Sequence, residues 1–431
     1  MQREGKHWWS DRDKIIDIIF FILLLALASA VTLMLFYWQT VTVDPDLSYK
    51  SDMKAYIMEM QGLDSGYSFP YPIFFKLAAF IHLFTSPEYA VALATMLLNG
   101  LGMVFVKLAL NRIILPECEK GRGILKRGWP MGILLSVLAV SLFFISMLYP
   151  PPGMYLPGIR FRYVGVFSAN PFHNATYMAA RPFAILAFLW YVKLLSVYER
   201  EASPADYVLF SVFLLIATMT KPSFTIILVA AAGLLMVFRL CRSRFRNLVP
   251  TVRLGLCFIP TFIDLLYQYS GVFAAKEGAE GGIGFTFGEV WGYYCDNIPL
   301  SIGIAMGFPL LVLVLNFREL KRNTLSRFSW LLYSVSFCMA FFLYEKGFRK
   351  PDFNFSWGYM YGIFFCHLSS LTVLLKATVG MGKSKSGPDL SQRRKRMLAG
   401  GLLGAQWLAF LWHVVCGLGY FIDLWNGKIY Y

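Results

Sequence analysis

Charge is what this sequence has least of: Asp, Glu, Lys and Arg make up 15% of its 431 residues, against 57% hydrophobic and 17% aromatic. Soluble domains average about 25% charged residues, so a water-surrounded globule is excluded and the core is one packed in lipid. Cysteine is sparse and unpatterned. Cys118, Cys241, Cys257, Cys295, Cys338, Cys366 and Cys416 form no Cys-x-x-Cys pair, and only Cys295 falls in a candidate outer loop. That spacing indicates neither a disulfide framework nor a zinc site. No strand pattern, soluble domain or internal repeat is visible, so the expectation is an all-α, polytopic transmembrane protein with one domain over residues 1–431.

What is present is long apolar runs. The first, 18–38, holds no charge and at about 1.5 Å per residue covers a hydrocarbon core of roughly 30 Å. Its length, the acidic flank of Asp11, Asp13 and Asp17, and its exit into Tyr37 and Trp38 make it a retained span rather than a cleaved signal peptide. Further runs lie at 89–110, 131–149, 178–195, 207–220, 224–238, 248–267, 298–315, 328–344, 359–375 and 398–421, so about eleven spans are expected.

A twelfth candidate, 73–85, follows Pro70, Tyr71 and Pro72 and carries Lys76 and His82. Charge argues against its crossing. If it stays on the surface, most of the 40 Lys and Arg gather on one side, as the positive-inside rule requires. Counting it as a span would invert every later loop, including Arg393 to Arg396. The expectation is therefore a plasma-membrane protein with its N-terminus cytoplasmic and its C-terminus outside. The same clustering explains the net charge of +15 without a nucleic-acid partner.

Four longer loops then face outward: 39–88, 150–177, 268–297 and 345–358. In the first, Met53, Tyr56, Ile57, Met60 and Leu63 recur at helical spacing behind Ser51, a candidate N-cap, which predicts an interfacial helix ahead of a second one at 73–85. Asp44, Asp46 and Asp52 follow the first span. Asp52 would begin the interfacial helix, where the helix dipole favours an ionised carboxylate acting as a base or metal ligand. The plain alternative is that acids favour helix starts.

The loop 150–177 and the start of the next span hold Arg160, Arg162, Asn170, His173, Asn174 and Arg181, with no acid. Such a set suits a phosphate or pyrophosphate. The alternatives are arginines snorkelling to lipid headgroups and, for Asn174, a capped helix start. Lys221, in Thr220-Lys-Pro-Ser223, joins two short apolar arms, which predicts a sunken turn and a buried cation facing an anion or water. Asp264, in an apolar run, is a functional candidate or the partner of a neighbouring helix. His82, His367 and His413 are isolated and read as packed or interfacial. Arg349 and Lys350 extend the basic set or are simply solvated loop charges.

Taken together, an acid just after the first span, surface helices with Tyr-Pro elements at Ser51 to Tyr56 and Gly66 to Pro72, and basic outer loops resemble the GT-C superfamily of membrane glycosyltransferases. The resemblance implies a GT-C-like fold and gives the acidic catalytic role to Asp52 alone. It also implies a polyprenyl-phosphate sugar donor and a glycan, lipid or protein acceptor on the extracytoplasmic face. Some members carry a paired-acid motif for a divalent metal, to which Asp44 and Asp46 are only loosely similar, so a metal near Asp44, Asp46 and Asp52 is an open expectation. Arg160, Arg162, His173, Asn174, Arg181 and Lys221 would bind the lipid phosphate. Competing readings are a polymerase or ligase of lipid-linked oligosaccharides, relying more on His173 and the arginines, and a transporter or flippase of a lipid-linked anion. The latter lacks the paired broken helices of two related halves.

Overall fold

The computed structural model of the chain describes residues 10–42, 48–119, 128–148, 161, 164–273, 282–381 and 390–428. Helix dominates. In order come α1 (Asp11–Val41), α2 (Met53–Met60), α3 (Pro72–His82), α4 (Pro87–Glu119), α5 (Trp129–Ser141), α6 (Ala175–Val197), α7 (Pro204–Thr220) and α8 (Ser223–Arg242). They are followed by α9 (Leu248–Leu256), α10 (Ile259–Phe273), α11 (Glu289–Gly292), α12 (Ile298–Ala305), α13 (Gly307–Leu315), α14 (Phe317–Arg322), α15 (Thr324–Phe342), α16 (Ser356–Met381) and α17 (Leu390–Trp425).

Among the described residues seven helices, α1, α4, α6, α8, α15, α16 and α17, are long and apolar enough to cross a membrane, and counting each of two bent pairs as one span raises the number to nine. The pairs are α9–α10, bent by 46°, and α12–α13, bent by 72°. α1 shows why lipid is the solvent. It exposes Ile15, Ile18, Ile22, Leu23 and Leu27, a continuous apolar surface larger than water tolerates on a monomer. Its one deeply placed acid is neutralised from inside the bundle. Asp17 Oδ1 accepts from Lys107 Nζ of α4 at 2.8 Å and from Ser136 Oγ of α5 at 3.2 Å, the pairing an ion needs when water is excluded.

Two features differ from the sequence expectation. First, the apolar run 131–149 is helical only to Ser141. Beyond it the chain is irregular through 148, and its backbone groups are met by side chains and neighbouring backbone. Asn170 Nδ2 donates to the carbonyls of Leu142 and Ile145 at 3.1 and 2.8 Å. The N–H groups of Ser146 and Leu148 donate to the carbonyls of His413 and Ile304 at 3.1 and 2.8 Å. Non-helical backbone is tolerated at membrane depth only when satisfied within protein. His413 of α17 is the pivot: its ring bonds the Ser146 carbonyl through Nδ1 at 2.6 Å and accepts the Phe308 N–H at Nε2 at 3.1 Å. One imidazole thus ties the irregular segment to the α12–α13 break, and a Cβ on Gly417 would sit 1.5 Å from the Phe144 carbonyl oxygen.

Second, the outer loops hold a short antiparallel pair that sequence patterning does not reveal. β1 (Ile283–Phe285) pairs with β2 (Leu343–Glu345), Gly284 opposite Tyr344. Each strand is three residues long, too short for an alternation of apolar and polar residues to register. The pair links the loop 268–297 to the loop 345–358 beside α15.

The surface helices expected in the first outer loop are α2 and α3. Proline at its first position starts α3, which packs Phe74, Phe75 and Ala78 inward against α4 and α7 and leaves Phe80 61% exposed. With eleven residues it is one of three shorter apolar helices among the described residues, the others being α5 and α7. α2 lies across α1, α3 and α4 and buries Met53 and Tyr56.

Candidate functional site

Asp52 stands at the position preceding α2, yet its side chain makes no capping bond. Ser51 serves the helix start, its Oγ accepting the Met53 N–H at 3.3 Å. The plain explanation of an acid at a helix start therefore does not account for Asp52. Its carboxylate turns away from its own helix toward the first turn of α6, where Oδ2 accepts Asn174 Nδ2 at 2.6 Å. Tyr56, one helical turn along α2, donates its hydroxyl to the same oxygen at 3.2 Å. The Asp52 N–H reaches the His173 carbonyl at 3.4 Å, so backbone as well as side chain joins α2 to the loop before α6.

Asn174 is the N-cap of α6. Its Oδ1 accepts the Tyr177 N–H at 2.9 Å, the bond that quenches one orphan donor of the helix. The same oxygen accepts Lys221 Nζ at 3.2 Å, and Lys221 also donates to Thr176 Oγ1 at 3.0 Å. Lys221 occupies the two-residue turn between α7 and α8, in extended backbone with φ −169°. It is 6% exposed, as the short arms predicted. Its ammonium lies 4.7 Å from the Trp357 ring centroid and 5.8 Å from that of Tyr71, aromatic faces that partly replace lost water. The His173 ring packs 5.4 Å from Trp357.

Burial lowers the pKa of Lys221 to about 8; the Asp52 carboxylate opposes this and the Arg349 guanidinium adds to it. His173 is pushed down to about 4 by burial, with Asp52 opposing and Lys221 reinforcing, so the imidazole is neutral at pH 7. Burial, then the Asp52 charge, hold the Tyr56 hydroxyl well above its ordinary range, so it stays protonated as a donor. The result is a half-buried carboxylate and a buried ammonium in one hydrogen-bonded cluster, with a neutral imidazole packed beside it on Trp357, at the end of the bundle where α2, α6, α7 and α16 meet.

Of the seven residues expected at the site, Asp52, His173, Asn174 and Lys221 come together here. Arg181 does not share these contacts. It is 0% exposed, donates to Asn170 Oδ1 and Met178 Sδ, and lies over the rings of Phe143, Tyr177 and Phe364. Its role is in the packed core, bracing the Asn170 amide that satisfies the α5 terminus. Arg160 and Arg162, like Asp44 and Asp46, lie outside the described residues. Arg349 acts on Lys221 through its charge while pairing with Glu345 at 3.4 Å and Asp352 at 3.3 Å. Lys350 is engaged by Glu289 at 2.6 Å. Asp264 accepts from Gln268 Nε2 at 2.8 Å within its own helix, and His367 and His413 are buried as packed side chains.

Sequence reasoning did not assign Tyr56, Tyr71, Thr176 or Trp357 to the site. Tyr56 had a legible signal, four residues after Asp52 on one helix face; Trp357 had none, because it arrives from the far end of the chain. Among the described residues no group of three His, Cys, Asp or Glu could hold a metal ion. The described neighbours of Asp52 are hydrogen-bond donors and an ammonium, surroundings that fit an anion better than a divalent cation, and no step below passes through a metal. Comparison with protein-family models, with curated proteins and with solved structures yields no match.

Proposed function

We propose that the chain is a membrane glycosyltransferase of GT-C-like architecture that moves a sugar from a polyprenyl-phosphate donor to an acceptor on the extracytoplasmic face. In this reading all eleven apolar runs cross the membrane, the short α5 and α7 and the two bent pairs included, and α3 stays on the outer surface. The N-terminus is then cytoplasmic and the C-terminus outside. The observation that carries the reading is the pairing of Asp52 with Lys221 through the Asn174 amide at the outer-loop end of the bundle.

The chemistry follows from what each group has left over. Among the described residues Asp52 Oδ1 takes no hydrogen bond, so it is available to accept the proton of an acceptor hydroxyl. The acceptor oxygen attacks the anomeric carbon as the bond from that carbon to the phosphate oxygen breaks, and the bonding pair leaves with the phosphate. Lys221, with one N–H not used by Asn174 or Thr176, stabilises the charge that develops there. His173 stands beside that position, and Arg160 and Arg162, outside the described residues, are further candidates for the phosphate. A single displacement inverts the anomeric configuration.

Purified protein in liposomes with polyprenyl-phosphate sugars provides the test. Asp52→Asn should abolish transfer without changing membrane insertion or thermal stability, and a folded, active Asn variant contradicts the assignment. A second reading, a polymerase or ligase of lipid-linked oligosaccharides, draws on the His173 imidazole, which burial keeps unprotonated at pH 7 and so able to accept a proton, although as a weaker base than an ordinary histidine. It requires His173→Ala to be more damaging than Asp52→Asn.

A further inference from the structure

We propose that Asn174 is the positioning residue of this site, a spacer whose amide keeps the Asp52 carboxylate and the Lys221 ammonium from closing into a direct salt bridge. The inference rests on the glycosyltransferase reading for its consequence, though not for its geometry. A carboxylate and an ammonium so near each other, in surroundings of low dielectric, attract strongly. In contact they would spend on each other the valences that substrate needs. Asn174 instead gives each a separate partner: Nδ2 to Asp52 Oδ2 and Oδ1 to Lys221 Nζ.

The orientation of the amide is fixed by the fold. Oδ1 faces two N–H donors, the Tyr177 backbone at 2.9 Å and Lys221 at 3.2 Å, and the Thr176 hydroxyl at 3.0 Å. Turning the amide over would set its NH2 against those donors and its carbonyl against the carboxylate, so both ends reject the flip. Nδ2 is thereby committed to Asp52. The same side chain caps α6 and is 2% exposed, so the amide is anchored to the rigid start of a long helix. With Tyr56 holding the same Oδ2 from the other side, the carboxylate is clamped by one oxygen and presents the other. A carboxylate set in one orientation is what a base in a single displacement requires.

Two substitutions separate positioning from capping. Asn174→Asp and Asn174→Ser both keep an oxygen to accept the Tyr177 N–H, and Asp, Ser and Asn rank together as N-caps. Neither supplies a neutral amide NH2 to Asp52. The expected result is a thermal midpoint close to that of the unsubstituted protein, with kcat reduced by about 10- to 100-fold and KM for the donor changed by less than about threefold. Wild-type kcat in either folded variant overturns the proposal. So does failure of both variants to fold, which would make Asn174 a structural cap only.

An activity-free measurement keeps this distinct from the glycosyltransferase reading. The infrared difference between the protein and its Asp52→Asn variant isolates the Asp52 carboxylate stretch. Repeating the difference in the Asn174→Ser background should move that band, because a charge-assisted hydrogen bond is gone. An unmoved band overturns the proposal even if kcat falls. A moved band with no transfer from any polyprenyl-phosphate sugar, in any variant, would retain Asn174 as the spacer and refute the glycosyltransferase instead.

Discussion

The cluster around Asp52 and the junction around His413 are both assemblies of polar groups set among apolar helices, and they differ in what their hydrogen bonds connect. At the junction the partners are backbone: His413 joins the Ser146 carbonyl to the Phe308 N–H, and Asn170 covers the carbonyls of Leu142 and Ile145. Its bonds repair breaks in helices. Among the described residues, the side-chain atoms left without a hydrogen-bond partner here are His367 Nε2, Ser146 Oγ and Arg181 Nε. At the Asp52 cluster the bonds hold two charged side chains through neutral ones, and among the described residues a carboxylate oxygen and an ammonium N–H remain unused. Burial alone therefore does not mark a site; what sets the Asp52 cluster apart is two opposite charges held close together with capacity left on each.

Substitutions at the junction are expected to change stability and leave chemistry alone, and those at the Asp52 cluster to do the reverse. The largest expected effect is Gly417→Ala. With a Cβ placed 1.5 Å from the Phe144 carbonyl oxygen, α17 cannot dock, and the yield of monodisperse protein in detergent should collapse. Asp52→Asn comes next, lowering transfer by about 10²- to 10⁴-fold, the usual contribution of a general base, with thermal unfolding unchanged. Lys221→Met should lower kcat by about 10²- to 10³-fold, the scale of losing one preorganised charge contact to a leaving group. Because a buried ammonium is costly, its stability should hold or rise. His413→Ala leaves two buried backbone groups unmatched and should cost about 2 to 5 kcal/mol, read as a lower unfolding midpoint with kcat per folded molecule within about twofold of the parent.

The smallest effect is on pH dependence. Lys221 titrates near 8 in the folded protein against an ordinary 10.5, so donor binding should weaken as pH rises through about 8. Stability moves oppositely. Between about 8 and 10.5 the unfolded chain binds more protons at this residue than the folded one, so its contribution to stability rises with pH. Activity falling while the unfolding midpoint gains from this group, with the gain absent in Lys221→Met, would sharpen the comparison; parallel behaviour of the two variants would break it.

Much of this arrangement was legible in the sequence, and what was not has physical causes. Apolar runs foretold the membrane-length helices, because lipid imposes length on every element that crosses it. Asp52, His173, Asn174 and Lys221 were legible as polar residues where an apolar environment tolerates few. The clamp by Tyr56 was hidden because a tyrosine at helical spacing reads equally as core. Trp357 was hidden because its place beside Lys221 depends on how α16 packs, which no local pattern encodes. The end of α5 at Ser141 was illegible for a similar reason: the groups that permit it, Asn170 and His413, are 29 and 272 residues away from that serine along the chain. The packing of Arg181 among rings and an amide was illegible, because in sequence it looks like any arginine beside a basic loop.

A structure with a polyprenyl phosphate bound tests the central claim most directly. The account predicts the phosphate within about 3 Å of Lys221 Nζ, on the side of the cluster toward which Asp52 Oδ1 is free, with the Asn174 amide still between carboxylate and ammonium. A phosphate seated elsewhere, with Lys221 untouched and Asp52 shielded from it by protein, would contradict it.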